Sequence, residues 1–268
     1  MDPKVSYETR IMDEPILAPE PPAPAPKPQG FFSRLIGVYF SPGETFQEIG
    51  RAPRILIPMV VLALVIVTAV VVASQRISFD RLPIQQIDDA VAEGKLTAEE
   101  GEQRKEATKK FMAIFKPFIP IVAAISIIIM VLAIAGLAKL VSSMMGIENT
   151  FKQILSVTAY SILAVSVVSA VLGTVLLFLK PVEEIDPNNP VGSNVAAWLA
   201  MAGIKGLPKF ITGLLSFVDV FYIWKVALLG IGYAAVSRKL KASTAMAYTG
   251  AGALVIAVIG AAWGSLVG

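Results

Sequence analysis

The sequence predicts an all-α membrane protein: a five-span transmembrane helical bundle with short interfacial helices and an extramembrane helical hairpin. Two bulk observations and one local observation support this fold class. Hydrophobic residues make up 55% of the 268 residues and charged residues 16%, whereas about 25% are charged in soluble domains. The mean hydropathy is +0.70. Several apolar runs are long enough to cross a hydrocarbon core of about 30 Å as helices.

The absence of two residue types excludes many functions. The chain contains no cysteine, which rules out disulfides, thiolate metal sites and thiol nucleophiles, and no histidine, the commonest general base and metal ligand. Three acid pairs lie in polar stretches and are expected to be solvated helix faces rather than metal ligands: Asp88 and Asp89, Glu99 and Glu100, and Glu183 and Glu184. We therefore predict no catalytic residue, no cofactor and no metal site, and a protein that is not an enzyme.

Residues 1–30 form a proline-rich segment that includes PILAPEPPAPAPKP. Proline at this density prevents a helix or a sheet ladder, so a disordered cytoplasmic tail is expected. A spacer is the favoured interpretation, and a ligand for a proline-binding partner is the alternative. The membrane domain then covers residues 31–268.

Residues 31–53 are predicted to form two short helices at the membrane surface. Aromatic and aliphatic side chains recur at helical spacing from Phe31 to Phe40 around Arg34, as in interfacial helices. Ser41 and Glu44 have the spacing of a capping box, with Pro42 at the first helical position.

The first span covers about residues 54–74, and a charged helical hairpin follows at residues 75–117. Gly94 can end the first helix of this hairpin, and Thr97 with Glu100 forms a second capping-box pattern. A docking domain and a solvated connector are equally compatible with this composition.

The second and third spans cover about residues 118–140 and 151–179. Lys139, near the end of the second, can extend its ammonium group to the interface. The third span contains six hydroxyl side chains, which in lipid normally bond within their own helix or to a neighbour. A polar substrate path is the alternative for these residues: Ser156, Thr158, Ser161, Ser166, Ser169 and Thr174.

Residues 180–218 are predicted to be a loop with short interfacial helices anchored by Trp198 and Phe210. The fourth span covers about residues 219–237 and the fifth about residues 243–266. The fifth is rich in small residues, and the spacing of Gly260 and Gly264 permits close helix contact.

Two ionisable residues in the fourth span are candidate functional residues, because intramembrane charges are rare. Asp219 begins the helix, where an anionic side chain caps free backbone donors, so we expect a cap at the membrane surface. Lys225 lies six residues further on, about 240° around the helix, and does not share the face of Asp219. It extends to the interface, pairs with another helix or acts in a functional site; these alternatives stay open.

The orientation follows from basic residues in short flanks. Lys and Arg are equally numerous on the two sides of a five-span arrangement. The short connection after the fourth span contains Arg238, Lys239 and Lys241, which we take as topology anchors. A multi-pass protein of the cell membrane is expected, with a cytoplasmic N-terminus and the C-terminus on the opposite side.

Three segments together resemble the Yip (Ypt-interacting protein) domain family, particularly its prokaryotic members. They are FFSRLIGVYFSPGETFQEIGRAP before the first span, FKQILSVTAYS at the start of the third, and DVFYIWKVALLGIGYAAVSRKLK, which contains Trp224. The resemblance covers about residues 31–266 and adds Trp224 to the candidate functional residues. The larger hairpin at 75–117 and the missing proline after TAYS depart from the family pattern. The resemblance implies five spans and a cytoplasmic N-terminus, and in eukaryotic relatives it implies small-GTPase binding.

The leading hypothesis is a non-enzymatic scaffold or partner-binding component in membrane organisation. Its expected partners are the lipid bilayer and a membrane or cytoplasmic protein, with a homo-oligomer as a further option and no nucleic acid. The alternative is a small transporter or channel component with a polar site near Lys225 and Asp219. An intramembrane enzyme is the weakest hypothesis.

Overall fold

The structure is a computed structural model, and it describes residues 29–77, 79, 81–181, 185, 191–204, 206–237 and 240–267. Within these residues the chain is helical and has no strand. The proline-rich segment before residue 29, the acids Glu183 and Glu184, and the anchors Arg238 and Lys239 lie outside the described residues. The helices are α1 (Phe31–Phe40), α2 (Pro42–Arg51), α3 (Leu56–Ala73), α4 (Arg81–Ala92), α5 (Ala98–Phe115), a 3-10 turn (Lys116–Phe118), α6 (Ile119–Met144), α7 (Phe151–Leu179), α8 (Val195–Met201), α9 (Lys209–Phe217), α10 (Val220–Ala235) and α11 (Ala242–Val267).

Four helical segments in the described part of the chain are long and apolar enough to cross a membrane: α3, α6 with the helix that precedes it, α7 and α11. The predicted fourth span is the shorter apolar helix α10, whose 16 residues extend only about 24 Å. Four candidate spans are therefore found, and the five-span arrangement stays a prediction.

Helix α7 lies at the centre of the bundle. It packs against α3, α6 and α10 and against both helices of the N-terminal segment. Every residue from Ile154 to Val165 is buried, whereas Val171, Val175 and Leu179 are exposed. The first half of α7 is thus enclosed by protein, and the second half is more open.

Helices α1 and α2 form an antiparallel pair, called here the entry hairpin, that lies beside the first half of α7. The Tyr39 hydroxyl donates to the Ala164 carbonyl at 2.7 Å, and Ala164 lies about 20 Å along α7 from its first residue. At the other end of α2, the side chain of Gln153 donates to the Gly50 carbonyl at 3.0 Å. The hairpin therefore lies along the first half of α7, with the turn at Ser41 nearest the middle of that helix; its position at the membrane surface stays a prediction.

Helix α1 has apolar side chains on two faces. Leu35 and Tyr39 pack against the core, while Phe32 and Phe40 on the other side are 75% and 82% exposed. Helix α1 therefore packs against the bundle with one face and leaves aromatic side chains exposed on another.

The predicted capping box at Ser41 and Glu44 is wrong, because the side chain of Ser41 makes no capping hydrogen bond. Ser41 ends α1 and begins α2, and its backbone N–H donates to the Gly37 carbonyl at 2.8 Å. A single residue joins the two helices, with φ −142° and ψ 61°.

Helices α4 and α5 pack against each other and are called here the charged arm (residues 81–115). Gly94 turns the chain with a φ of +72°, and the capping box of Thr97 and Glu100 is confirmed by both of its hydrogen bonds. Helix α5 continues through the 3-10 turn into α6, so that Ala98–Met144 forms one rod about 70 Å long.

Helices α8 and α9, called here the return pair (residues 195–217), pack against each other, and α9 packs against α11. Neither helix contains a buried residue. A single antiparallel bridge joins Asn194 to Asp219 and ties the start of the pair to the start of α10.

Candidate functional site

A buried ion pair holds the two helices of the entry hairpin together. The guanidinium of Arg34, which is 0% exposed, contacts both carboxylate oxygens of Glu48 at 2.8 Å. A third contact, from Nη1 to the Ala52 carbonyl, is also 2.8 Å long. The Nη2 contact to Oε1 is a hydrogen bond, whereas the Nε contact to Oε2 is an ion pair without hydrogen-bond geometry. A charge-assisted hydrogen bond of this kind is strong. The sequence predicted that Arg34 lies in a helix at the membrane interface, but it did not indicate that Glu48 is its partner.

Glycines let the entry hairpin approach α7 and α10 closely. A Cβ at Gly232 would collide with Val157 and would lie 3.2 Å from the Phe46 ring. A Cβ at Gly50 would lie 2.7 Å from Val236. The segments that resemble the Yip family therefore meet in one packed region, although they are distant in sequence.

Hydrogen bonds between polar side chains join α10 to α7 and to the connection that precedes α7. The hydroxyls of Thr158 and Tyr233 lie 2.8 Å apart, and the Asn149 amide donates to the Ser237 hydroxyl at 3.2 Å. Lys139 donates to the Asn149 carbonyl at 2.7 Å. Lys139 is therefore used to hold this connection.

The predicted back-bonding of the α7 hydroxyls is confirmed for Thr158, which donates to the Ile154 carbonyl at 2.8 Å. Ser156 and Ser161 are buried and have no hydrogen-bond partner among the described residues.

Asp219 caps α10, as its position in the sequence predicted. One carboxylate oxygen accepts from the Tyr222 backbone N–H at 2.8 Å, and the other accepts from the Ser193 hydroxyl. The neighbouring segment touches α7 well before its end, because a Cβ at Gly173 would lie 3.6 Å from Val191. We infer that Asp219 lies beside the second half of α7 and does not reach its C-terminal end at Leu179.

A cavity of about 370 Å³ lies beside Asp219 and is called here the hydroxyl crevice. Its apolar wall comes from α3, and its hydroxyl-bearing wall comes from the second half of α7. The residues of these two walls are Ile66, Ala69, Ala73, Ser166, Ser169, Ala170, Gly173, Thr174 and Leu177.

The three candidate residues of α10 have different nearest neighbours in the structure. The Lys225 ammonium lies 4.5 Å from the centre of the Tyr222 ring, and the Tyr222 hydroxyl donates to the Ala253 carbonyl of α11. Trp224 packs against the core, with its ring 5.9 Å from that of Tyr39. Of the three, Asp219 alone lines the hydroxyl crevice.

The charged arm contains ion pairs of its own. Lys105 pairs with Asp88 and with Glu102, and the hydrogen bond that Lys105 donates to the Asp88 carboxylate is the main cause that raises the pKa of Lys105. The hydrogen bond from Thr97 lowers the pKa of Glu100. A groove of about 460 Å³ runs between the two helices and is lined by Ile87, Ala90, Leu96, Arg104 and Thr108, among others.

Lys241, the topology anchor within the described residues, is exposed just before α11. In the described part of the chain, no group of three or more acidic, histidine or cysteine residues could hold a metal ion.

In a comparison with protein-family models, residues 36–264 match the Yip1 domain. No curated protein and no solved structure gives a significant match.

Proposed function

The chain belongs to the Yip1 domain family, whose model covers nearly its whole length, and we propose that it is a non-enzymatic scaffold that binds a protein partner at the membrane. The observation that supports this best is the charged arm. It is joined to the bundle through the rod of α5 and α6, and its helices pack mainly on each other. Such an arrangement leaves the groove between α4 and α5 open to a partner.

The use of polar groups inside the bundle also favours a scaffold. Arg34 is paired with Glu48, Lys139 holds the connection before α7, and Asp219 caps α10. These charged groups hold the helices in place, as is expected of a rigid scaffold.

A transporter with a polar site at Lys225 and Asp219 is less well supported. Lys225 does not line the hydroxyl crevice. On α7 the crevice extends from Ser166 to Leu177, while the preceding residues Ile154–Val165 are buried. A path that continues through the described bundle would have to open that packed half of α7.

The groove of the charged arm can be tested with photo-crosslinking residues placed at Gln86 or Arg104, which line it. A matched control is Glu106, which lies about 200° from Arg104 around α5. We expect the same protein to be crosslinked from both groove positions in intact membranes and not from Glu106. Equal crosslinking from all three positions, or none, would contradict a partner in the groove.

The proposed orientation puts the N-terminus in the cytoplasm and the charged arm on the opposite side of a cell membrane. The partner of the arm would then be a membrane protein or a protein on that side, and a cytoplasmic partner would meet the N-terminal segment. Because the chain lacks cysteine, single-cysteine variants report each side without interference. In intact cells a membrane-impermeant maleimide should label Glu102→Cys but not Lys152→Cys; the reverse pattern would invert the topology.

A further inference from the structure

The hydroxyl crevice combines two kinds of wall with one charged group. On the α3 side, Ile66, Ala69 and Ala73 make it apolar, and on the α7 side Ser166 and Ser169 make it polar. Its volume of about 370 Å³ lies within the range of about 300–1,000 Å³ for small-molecule sites. The crevice lies beside the second half of α7, where Val171, Val175 and Leu179 are exposed.

The crevice hydroxyls on α7 make no hydrogen bond to the residues that the structure describes, whereas the Ser193 hydroxyl donates to Asp219. Elsewhere in the described chain, Ser142, Thr158 and Thr249 each donate to the carbonyl four residues earlier. Ser166, Ser169 and Thr174 line the crevice and make no hydrogen bond within the described residues. Their oxygen atoms are available to a ligand.

Asp219 brings a negative charge to the crevice with acceptor capacity to spare. A carboxylate has about four acceptor sites, and the structure uses two of them, for the Tyr222 N–H and the Ser193 hydroxyl. No salt bridge joins Asp219 to a cationic side chain among the described residues. The Lys225 ammonium lies against the Tyr222 ring and interacts with the Asp219 charge only over a longer distance. The start of α10 compensates this charge in part.

We propose that the hydroxyl crevice binds an amphiphilic primary amine, with its ammonium group at Asp219 and its apolar chain along α3. An ammonium group has three N–H donors and no acceptor, which matches a carboxylate and adjacent hydroxyl oxygens. Charge complementarity selects the cation, and the apolar α3 wall selects a ligand with a hydrocarbon chain. This site does not depend on the proposed partner of the charged arm.

The amine has two chemical sources, an aminophospholipid of the bilayer and a free alkylamine. In the first arm of the test, the full-length protein in detergent is offered equal amounts of phosphatidylethanolamine and phosphatidylcholine with identical acyl chains. The ammonium group of phosphatidylcholine has no N–H, so it cannot donate to Asp219. In the second arm, dodecylammonium is compared with dodecanol. Bound ligand is counted by native mass spectrometry.

We expect preferential retention of phosphatidylethanolamine, of dodecylammonium or of both, and the arm that responds identifies the source. Asp219→Asn retains an oxygen that can cap Tyr222 but removes the charge, and it should weaken the preference about tenfold or more. Ala69→Phe, which fills the crevice without altering Asp219, should also abolish it. Ser216→Ala, on α9, does not line the crevice and serves as the control that keeps it.

Two results would overturn the proposal. In one, the unaltered protein retains phosphatidylethanolamine and phosphatidylcholine equally and also retains dodecylammonium and dodecanol equally. The other is a preference that survives Asp219→Asn in a folded variant, because the carboxylate would then not be the binding group. If Ala69→Phe abolishes the preference for the amine and Asp219→Asn does not, the result counts against an ammonium site.

Discussion

The entry hairpin and the return pair are both pairs of short helices beside the bundle, and they are held in opposite ways. The entry hairpin buries Val38, Phe46 and Ile49 completely and is closed by the Arg34–Glu48 ion pair. The return pair buries no residue in either helix. It is attached by a backbone bridge at Asp219 and by the packing of α9 on α11.

This difference indicates a division of roles between the two halves of the bundle. The half that contains the entry hairpin is fixed by packing around Tyr160 and Tyr233, which are fully or almost fully buried. The half beside the return pair contains the hydroxyl crevice and depends on caps and glycine turns. Local free energies of opening are lowest where few apolar contacts are buried. Ligand-dependent adjustment is therefore expected on the side of the return pair.

The largest effect is expected from removing one partner of the buried ion pair. Arg34→Ala leaves Glu48 without its cation and should lower the free energy of unfolding by about 3–5 kcal/mol. The measurement is reversible unfolding in mixed detergent micelles, followed by circular dichroism.

The double variant Arg34→Met with Glu48→Leu is the matched control for this pair. It removes both charges, so it should recover most of the lost stability. If Arg34→Ala costs less than about 1 kcal/mol, as an exposed pair would, the entry hairpin is not the fixed element described above.

A smaller loss is expected from a larger side chain where α10 approaches the entry hairpin. Gly232→Val forces a side chain toward Val157 and Phe46 and should cost about 1–3 kcal/mol in the same assay. Gly252→Val on α11 is the control, because no atom lies within 4 Å of a Cβ there. Similar losses at both positions would show that the cost comes from helix propensity and not from close packing.

Local sequence patterns predicted the features that neighbouring residues determine. The apolar runs predicted α3, α6, α7 and α11, and short spacings predicted the caps at Thr97 and Asp219, because each depends on residues a few positions apart. The packing of the entry hairpin along α7 could not be predicted in this way. The Tyr39–Ala164 hydrogen bond joins residues 125 positions apart, and no periodicity of α1 specifies that partner.

The candidate site shows the same limit. Asp219 was found because capping is local, whereas the hydroxyls of α7 were noticed without any indication of which ones share a cavity. Lys225, Trp224 and Asp219 lie within six positions on one helix, yet each contacts a different neighbour. A helix distributes adjacent residues around its axis, so proximity in the sequence does not show which of these residues line the same cavity.

The return pair should respond more weakly and more locally to the loss of its cap. Asp219→Ala removes the acceptor for the Tyr222 N–H and the Ser193 hydroxyl and should cost about 0.5–2 kcal/mol. Asp219→Asn should cost less, because its amide oxygen still accepts from Tyr222. Hydrogen exchange should accelerate at the backbone amides of Tyr222, which donates to Asp219, and Val220, which donates to the Ser193 carbonyl, and stay unchanged in α2. Faster exchange in both regions would mean that the two halves open together.

Small effects of opposite sign are expected at two glycines, one in the turn of the return pair and one in α2. Gly203 has a φ of +81°, in the left-handed region where a Cβ costs about 1–2 kcal/mol, so Gly203→Ala should lower stability by about that amount or less. Gly43 in α2 has a helical conformation and open space around its Cβ position. Gly43→Ala should therefore raise stability by about 0.5–1 kcal/mol. Opposite signs for these two substitutions, measured by the same unfolding assay, would follow from backbone conformation alone. If Gly203→Ala caused no loss of stability, the α8–α9 turn would relax at no cost, and the return pair would be even less constrained than its caps indicate. If Gly43→Ala also lowered stability, backbone conformation would not account for the difference.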